Sequence, residues 1–255
     1  MIASNARPSD PRLALVTGAT GLIGSAIARK LDARGENVVL LARNARKLQR
    51  LKSQLQHQDS TMTISADVRE PFDVVEAREA IREGFDADPD LIVVGATILR
   101  TAEFPTAVPA EWSSMINTNF EGMLHTVQTF MDGVLAAAAD GRAADIVILG
   151  SPQARKRSQR YGVFSAITAA QAQLAKHLRA ELGPQGVRIH HLAAEYADPD
   201  LGEDAIGETG EDDRADHRWD EASTGPASVA EVVDFATRLP LRANLAEVTL
   251  RVVDA

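Results

Sequence analysis

Thr17-Gly18-Ala19-Thr20-Gly21-Leu22-Ile23-Gly24 decides the fold. The apolar run before it, Leu13-Ala14-Leu15-Val16, has the length and β-branched ending of a buried parallel strand. After it, Ile23, Ala26, Ile27 and Leu31 recur at helical spacing. Strand, glycine turn and helix, in that order, are the setting of a dinucleotide-binding loop. Gly18 permits a tight turn at positive φ, Gly21 lets a pyrophosphate approach the backbone, and Gly24 lets the helix pack close to the sheet. The helix N-terminus offers N–H groups and partial positive charge to phosphate. Gly18, Thr20, Gly21, Leu22, Ile23 and Gly24 are therefore the candidate phosphate-binding residues. The plainer alternative is a glycine-rich turn with no ligand.

Outward from this stretch, strands and helices alternate. Asn37–Ala42, Met62–Ser65, Leu91–Val94, Asp145–Leu149, Val187–Leu192 and Glu247–Val253 read as strands. Ala45–Leu55, Phe72–Ile81, Tyr161–Leu182 and Val229–Leu239 read as helices, and a helical stretch with room for a break runs from about Pro109 to Ala138. Repeated βα units predict a doubly wound parallel sheet, a Rossmann-like three-layer αβα architecture in one domain spanning 1–255. Ligands bind such sheets beyond the carboxyl ends of the strands, where the glycine turn lies.

Composition narrows the function classes. The chain has 255 residues, is 45% apolar and has no cysteine, so it carries neither a disulfide framework nor a thiolate metal site. Residues 1–11 read as a flexible, polar terminus without a signal-peptide core, and no apolar run approaches membrane-spanning length. A cytoplasmic protein that binds neither nucleic acid nor membrane is the expectation. The net charge of −9 comes from one segment: residues 195–221 carry twelve acids and two arginines. The region 195–225 therefore reads as an acidic, mobile loop. Arg155, Lys156, Arg157 and Arg160 form a basic run before the long helix. Both read as solvated loops; the sharper alternatives are mutual attraction, an acidic partner or an anionic substrate.

The end of the second strand bears on cofactor choice. A carboxylate there suits the ribose hydroxyls of NAD, and a basic residue suits the extra phosphate of NADP. No acid occurs from Asn37 to Ala42; Arg43 follows, then Arg46 and Lys47. These three either grip a phosphate, through the planar fork of arginine, or form a solvated face at a helix start.

These features together resemble the short-chain dehydrogenase/reductase family over nearly the whole chain. Thr17–Gly24 resembles its phosphate loop, Asp67-Val68 its adenine-contacting pair, and Trp112 with Asn119 the helix segment carrying its structural asparagine. Leu149-Gly150-Ser151 resembles the strand end that bears the catalytic serine. Ala227-Ser228-Val229-Ala230 and Ala246–Arg251 resemble the closing helix and strand. The resemblance implies NADP(H) as cofactor, with Gly95 and Ala96 among its contacts.

The departures are more telling. The middle loop glycine falls one place early, at Gly21, and Leu22 stands where the shorter pattern has glycine. Val94-Gly95-Ala96-Thr97 replaces Asn-Asn-Ala-Gly, and Ala194-Glu195 replaces Pro-Gly. Most important, the family's Tyr-x-x-x-Lys begins thirteen residues after the serine, and here those places hold Phe164 and Thr168. In the family the tyrosine hydroxyl exchanges the proton on the substrate oxygen. Its ordinary pKa is about 10, and the lysine charge lowers it. Phenylalanine has no hydroxyl and threonine no charge, so no intact catalytic residue set is expected.

Ser151 is left without its family partners. Tyr161 is a weak substitute: three helical residues place it about 4.5 Å along the axis and about 60° around it from Phe164. Its plainer role is an aromatic packed at the helix entry. His190 and His191 are adjacent on a strand, point to opposite faces, and cannot share one metal; each reads as packed or solvated, and no metal site is expected. Three functions are consistent with this pattern. One is a subunit that retains weak or vestigial NADP(H) binding and acts as partner or scaffold, as homo-oligomer or with an active relative. The second is an NADP-dependent oxidoreductase with unorthodox acid–base residues. The third is a non-redox isomerase, cyclase or dehydratase using the same cleft.

Overall fold

Seven apolar segments pair into one parallel sheet. They are β1 (Leu13–Thr17), β2 (Asn37–Ala42), β3 (Thr61–Ser65), β4 (Leu91–Val94), β5 (Asp145–Gly150), β6 (Arg188–Ala194) and β7 (Glu247–Leu250), in the order β3-β2-β1-β4-β5-β6-β7. The computed structural model describes residues 11–152, 159–194 and 225–251. β1, β4 and β6 are buried along their whole length, as continuous apolar strands must be when helices cover both faces. Strand order reverses between β1 and β4, which opens a crevice at their carboxyl ends.

Two cores flank the sheet. On one face Ile92, Ile146, Ile148 and Ile189 meet α3 (Pro71–Phe85), α5 (Gly122–Thr129), α6 (Met131–Ala139) and α7 (Gly162–Leu182) through Val74, Val127, Val134 and Ala175. On the other, Val16, Leu40, Val93 and Val147 meet α1 (Leu22–Ala33), α2 (Ala45–Lys52) and α8 (Pro226–Arg238) through Ile27, Leu48 and Val233. The expected three-layer architecture is present. Among the described residues, no helix is long and apolar enough to cross a membrane.

Element ends differ from the sequence expectation for local reasons. α2 stops at Lys52 rather than Leu55 because the buried Asp32 carboxylate accepts the Gln56 and His57 N–H groups, at 2.6 and 2.9 Å, and draws the chain out of the helix. Leu55 remains buried all the same. α3 runs on to Phe85 and ends where Asp86 turns left-handed, at φ 52°. The long stretch from Pro109 is three helices: α4 (Pro109–Ile116), a π-helical turn over Asn117–Glu121, α5, then α6 after a break at Phe130. α7 begins at Gly162, so Tyr161 precedes it. α8 begins at Pro226, a residue suited to a first helical position. Residues 1–10, the basic Arg155-Lys156-Arg157, the acidic 195–221 and the last four residues lie outside the described residues.

The opposite, amino-terminal edge of the sheet is held by charge. Asp145 opens β5 with no solvent exposure. Its carboxylate accepts from Arg12 Nη1 at 2.7 Å, Arg188 Nη2 at 2.8 Å and His190 Nε2 at 2.8 Å. Arg12 also bonds Asp90 at 2.8 Å, and Arg188 reaches the Leu239 and Thr237 carbonyls at the end of α8. Burial pushes the Asp145 carboxyl up. The His190 hydrogen bond, the Arg12 charge and the bond and charge of Arg188 outweigh it and hold the group down, at about 2.

Asp145→Asn should therefore destabilise the fold by about 3–5 kcal/mol at pH 7, because it leaves buried cations uncompensated. The sign of the pH dependence follows from the depressed value. Asp145 stabilises the fold fully above its unfolded pKa of about 4, by roughly 2–3 kcal/mol. That contribution is lost as pH falls through about 2. Asp90, which burial pushes up against the pull of Arg12 and Arg142, works in the opposite sense. The wild type minus Asp145→Asn difference isolates Asp145. Urea unfolding at several pH values should show that difference constant down to about pH 4 and shrinking below it.

Candidate functional site

β1 ends where a side chain has no room. Gly18 has φ 65°, and a Cβ there would lie 2.6 Å from the Gly95 carbonyl oxygen and 2.7 Å from Ala96 N. A Cβ on Gly24 would strike the Gly18 carbonyl oxygen. Gly21 N–H donates to that same oxygen at 3.0 Å and closes the turn. Buried Thr17 ties this turn to the end of β4. Its hydroxyl accepts from Gly95 N at 3.1 Å and Ala96 N at 3.4 Å, and donates to the Val93 carbonyl at 3.4 Å. The sequence reading includes Thr17 in the loop but gives it no role of its own; the signal for one was a hydroxyl at the end of an apolar strand.

Helix α1 then starts at Leu22 with Gly21 as its N-cap and no side-chain cap. Leu22 is exposed, Thr20 and Ile23 are half-buried, and Ile23 packs on the core. α2 provides the contrast: Asn44 Oδ1 accepts from Lys47 N at 3.0 Å and satisfies that terminus itself. The N–H groups at the start of α1 are thus presented for an external anion, and the glycine cradle fits the pyrophosphate of a dinucleotide.

Around this cradle stand the other candidate cofactor contacts. Arg43 is exposed at the end of β2, and its carbonyl accepts from Ser65 Oγ at 2.9 Å. Asp67 follows β3. Its carboxylate is held by Arg69 at 2.6 Å, and although burial opposes the charge, the bonds and charge of Arg69 with the charge of Arg43 keep it below the usual carboxylate range. Val68 is buried against Gly122, and its carbonyl is bonded to His125 Nδ1 at 2.9 Å. Gly95 and Ala96 line the β4 side of the crevice, within reach of Thr17.

Phe164 and Thr168, which the resemblance sets at the family's tyrosine and lysine positions, are both buried. Phe164 is 9% exposed and packs with Met115 and Ile167, against Ile98, Leu99, Trp112 and Tyr161. Thr168 is 3% exposed, and its hydroxyl donates to the Ser165 carbonyl at 3.0 Å within its own helix. Phe164 has no exchangeable proton, and the Thr168 hydroxyl is engaged within its own helix. Tyr161 is a half-buried member of this cluster. Ser151 follows β5, half-buried.

Two more side chains complete the region. Asn119, in the π turn, accepts from Ile98 N at 2.8 Å and donates to the Ile98 carbonyl at 2.7 Å. Its own carbonyl accepts from Gln171 Nε2 at 2.7 Å. Gln171 was not singled out from the sequence, although it lies three and seven residues after Thr168 and Phe164, on the same helix face. The two histidines part company as adjacent strand residues should. His190 joins the Asp145 cluster, while buried His191 rests its ring on Gly150, directly before Ser151. Among the described residues, no group of acids and histidines could hold a metal ion.

The sequence matches the short chain dehydrogenase family over residues 12–208. The chain belongs to that family. An uncharacterised oxidoreductase of Staphylococcus aureus strain MW2 is 30% identical over 242 residues, 95% of this chain and 97% of that one. Among solved structures, an alcohol dehydrogenase from Thermococcus sibiricus complexed with 5-hydroxy-NADP is similar at TM-score 0.79 and 24% identity, covering 96% of this chain and 97% of that one. A metagenomic short-chain oxidoreductase in complex with NADP is similar at TM-score 0.78 and 22% identity, covering 95% and 97%. At that identity, the two structures establish the shared fold.

The cradle makes a sharp prediction. Gly18→Ala meets both a left-handed φ and immovable backbone, whereas Gly35→Ala, at φ 80°, meets nothing within 4 Å. Gly35→Ala should lose about 1 kcal/mol and Gly18→Ala distinctly more. Chemical denaturation of the two variants beside wild type measures it. Equal losses would mean that the Gly95–Ala96 backbone yields.

Proposed function

We propose that this short-chain dehydrogenase binds NADP(H) weakly, transfers no hydride by itself, and acts as a partner or scaffold subunit of an active relative. The observation that carries this reading is the pair Phe164 and Thr168, one built into an apolar cluster and the other spending its hydroxyl on the Ser165 carbonyl. Positioned acid–base groups are worth roughly 10²–10⁴ in rate, and both family groups are absent here.

NADP(H) is favoured over NAD(H) by the exposed Arg43 with Arg46 and Lys47, and by the lack of any acid along β2. NADP in two structural neighbours supports the same choice. Gly18 to Gly24 would hold the pyrophosphate, Arg43 the additional phosphate, and Asp67-Val68 the adenine side. Weak binding follows from the missing lysine and from glycine and valine where the family has asparagines. The bound nicotinamide would supply the hydride in an intact relative. For assembly, α7 exposes Ala166 and Ala169, and α4 and α5 expose Ile116 and Leu124. Small side chains let helices approach, and the larger ones add area to bury. A self-similar face of this kind pairs with itself or with a relative.

A second reading is an NADP-dependent oxidoreductase with unorthodox acid–base residues. It is favoured by the buried His191 ring against Gly150, the residue before Ser151, and by the oxidoreductase description of the staphylococcal relative.

Calorimetric titration should show NADPH binding more tightly than NADH, and NADH binding tighter would remove the Arg43 argument. The purified protein should reduce no carbonyl substrate above trace rate. Phe164→Tyr with Thr168→Lys should regain slight turnover, and either change alone none, because the cation sets the phenol's acidity. Robust wild-type turnover, lost in His191→Ala or Tyr161→Phe, would establish the second reading instead.

Light scattering should find an oligomer that Ala169→Arg splits without unfolding. A monomer that stays monomeric beside a co-expressed intact relative would rule out the subunit role.

A further inference from the structure

We propose, on the reading of Arg43 as the phosphate ligand, that Arg69 is the positioning residue behind selectivity for a 2′-phosphorylated adenosine: it engages both oxygens of the Asp67 carboxylate and so leaves Arg43 to the phosphate. All three residues belong to the segments that follow β2 and β3, apart from the helices assigned to subunit pairing.

The sheet brings an acid close to Arg43. β2 and β3 run parallel with Ala42 opposite Ser65, so Arg43 and Asp67 leave neighbouring strands within two residues of one rung. Ser65 Oγ donates to the Arg43 carbonyl at 2.9 Å, and Ala66 N–H donates to the Ala42 carbonyl at 3.2 Å, which ties the two exits together. The charge of Arg43 is felt at the Asp67 carboxylate. Left to itself, that carboxylate would draw the Arg43 guanidinium and repel an arriving phosphate. The lack of any acid along β2 would then be undone from β3. A cofactor without the 2′-phosphate has no stake in this competition.

Arg69 ends the competition. Asp67 Oδ2 accepts from Arg69 Nη2 at 2.6 Å and from Nε at 2.9 Å. Asp67 Oδ1 accepts from the same Nε at 3.1 Å and from the Arg69 backbone N–H at 3.0 Å. Charge-assisted bonds of this forked kind are the strong ones. The turn that permits them is held from α3: Asp73 Oδ2 accepts from Asp67 N–H at 2.9 Å, and the Asp67 carbonyl accepts from Glu70 N–H at 3.0 Å. The Asp67 side chain is 17% exposed, so salt screens the pair only in part. Arg43 stays exposed at the rim. A lysine at 69 would supply the charge without the planar fork.

The test titrates the full chain by calorimetry with adenosine 2′,5′-bisphosphate and adenosine 5′-monophosphate. The probes differ only in the 2′-phosphate and carry no nicotinamide, so the ratio of their affinities reads that phosphate alone. Wild type should favour the bisphosphate, and Arg43→Met should abolish the preference. Arg69→Met should cut the preference at least about threefold, and Arg69→Lys should keep more of it. Adding Asp67→Asn to Arg69→Met should bring the ratio back to within about twofold of wild type, because no carboxylate is left to neutralise. A side chain that only shaped the loop would weaken both probes alike and leave the ratio unmoved. An unchanged ratio in Arg69→Met would therefore overturn the proposal. So would a ratio that stays low in the double variant, which would put Arg69 on the phosphate itself. A wild type without the preference, or a preference that survives Arg43→Met, would overturn the Arg43 reading and this proposal with it, so the two failures are told apart.

Discussion

A carboxylate with no exposure to water sits among three cationic or basic side chains at the amino-terminal edge of the sheet, and the rest of the molecule is arranged around it. Asp145 fixes the start of β5 to Arg12 before β1, to Arg188 and His190 on β6, and through Arg188 to the end of α8. A buried charge of this kind contributes less to net stability than an apolar replacement often would, but it tolerates few alternative registers, because every wrong one strands an ion. Its effect is alignment. With four strands pinned at one edge, their other ends reach the crevice in a fixed stagger.

At that opposite edge the constraint is the reverse: atoms are missing rather than added. Gly18, Gly24 and Gly95 leave backbone against backbone, and Thr17 satisfies the amides that this closeness would otherwise strand. The phosphate cradle is therefore fixed by backbone packing, while Phe164 and Thr168 beside it are buried. The two halves of the site rest on different elements. The cradle belongs to β1, α1 and β4; Phe164 and Thr168 belong to α7.

Much of this was legible in the residues. The strand positions were plain because buried parallel strands are unbroken apolar runs, and β2 and β4 fall on Asn37–Ala42 and Leu91–Val94 as the pattern indicates. The glycine turn was plain because its spacing has one physical purpose. What escaped were features made by distant partners. Asp32 cuts α2 short from 24 residues away, and no local propensity contains that. The Asp145 cluster joins residues 133 apart; its only trace was a charge standing at the mouth of each of several apolar strands, Arg12, Asp90, Asp145 and Arg188. Gln171 was hidden because a glutamine on a long helix reads as surface until its amide is seen on the Asn119 carbonyl. The aromatic pair Phe104 and Trp112 bridges a loop and a helix, and periodicity is silent about loops.

The packing around Phe164 and Thr168 makes these two positions interdependent. Tyrosine alone at 164 would place a hydroxyl in an apolar cluster, and an unpaired buried hydroxyl costs about 1–3 kcal/mol. Lysine alone at 168 would place an ammonium where the present side chain is 3% exposed, with no phenol to act on. Each single substitution lowers stability by itself, and natural proteins keep only a small margin against such losses. A tyrosine and a lysine at these two positions are therefore coupled: each is costly in this packing without the other.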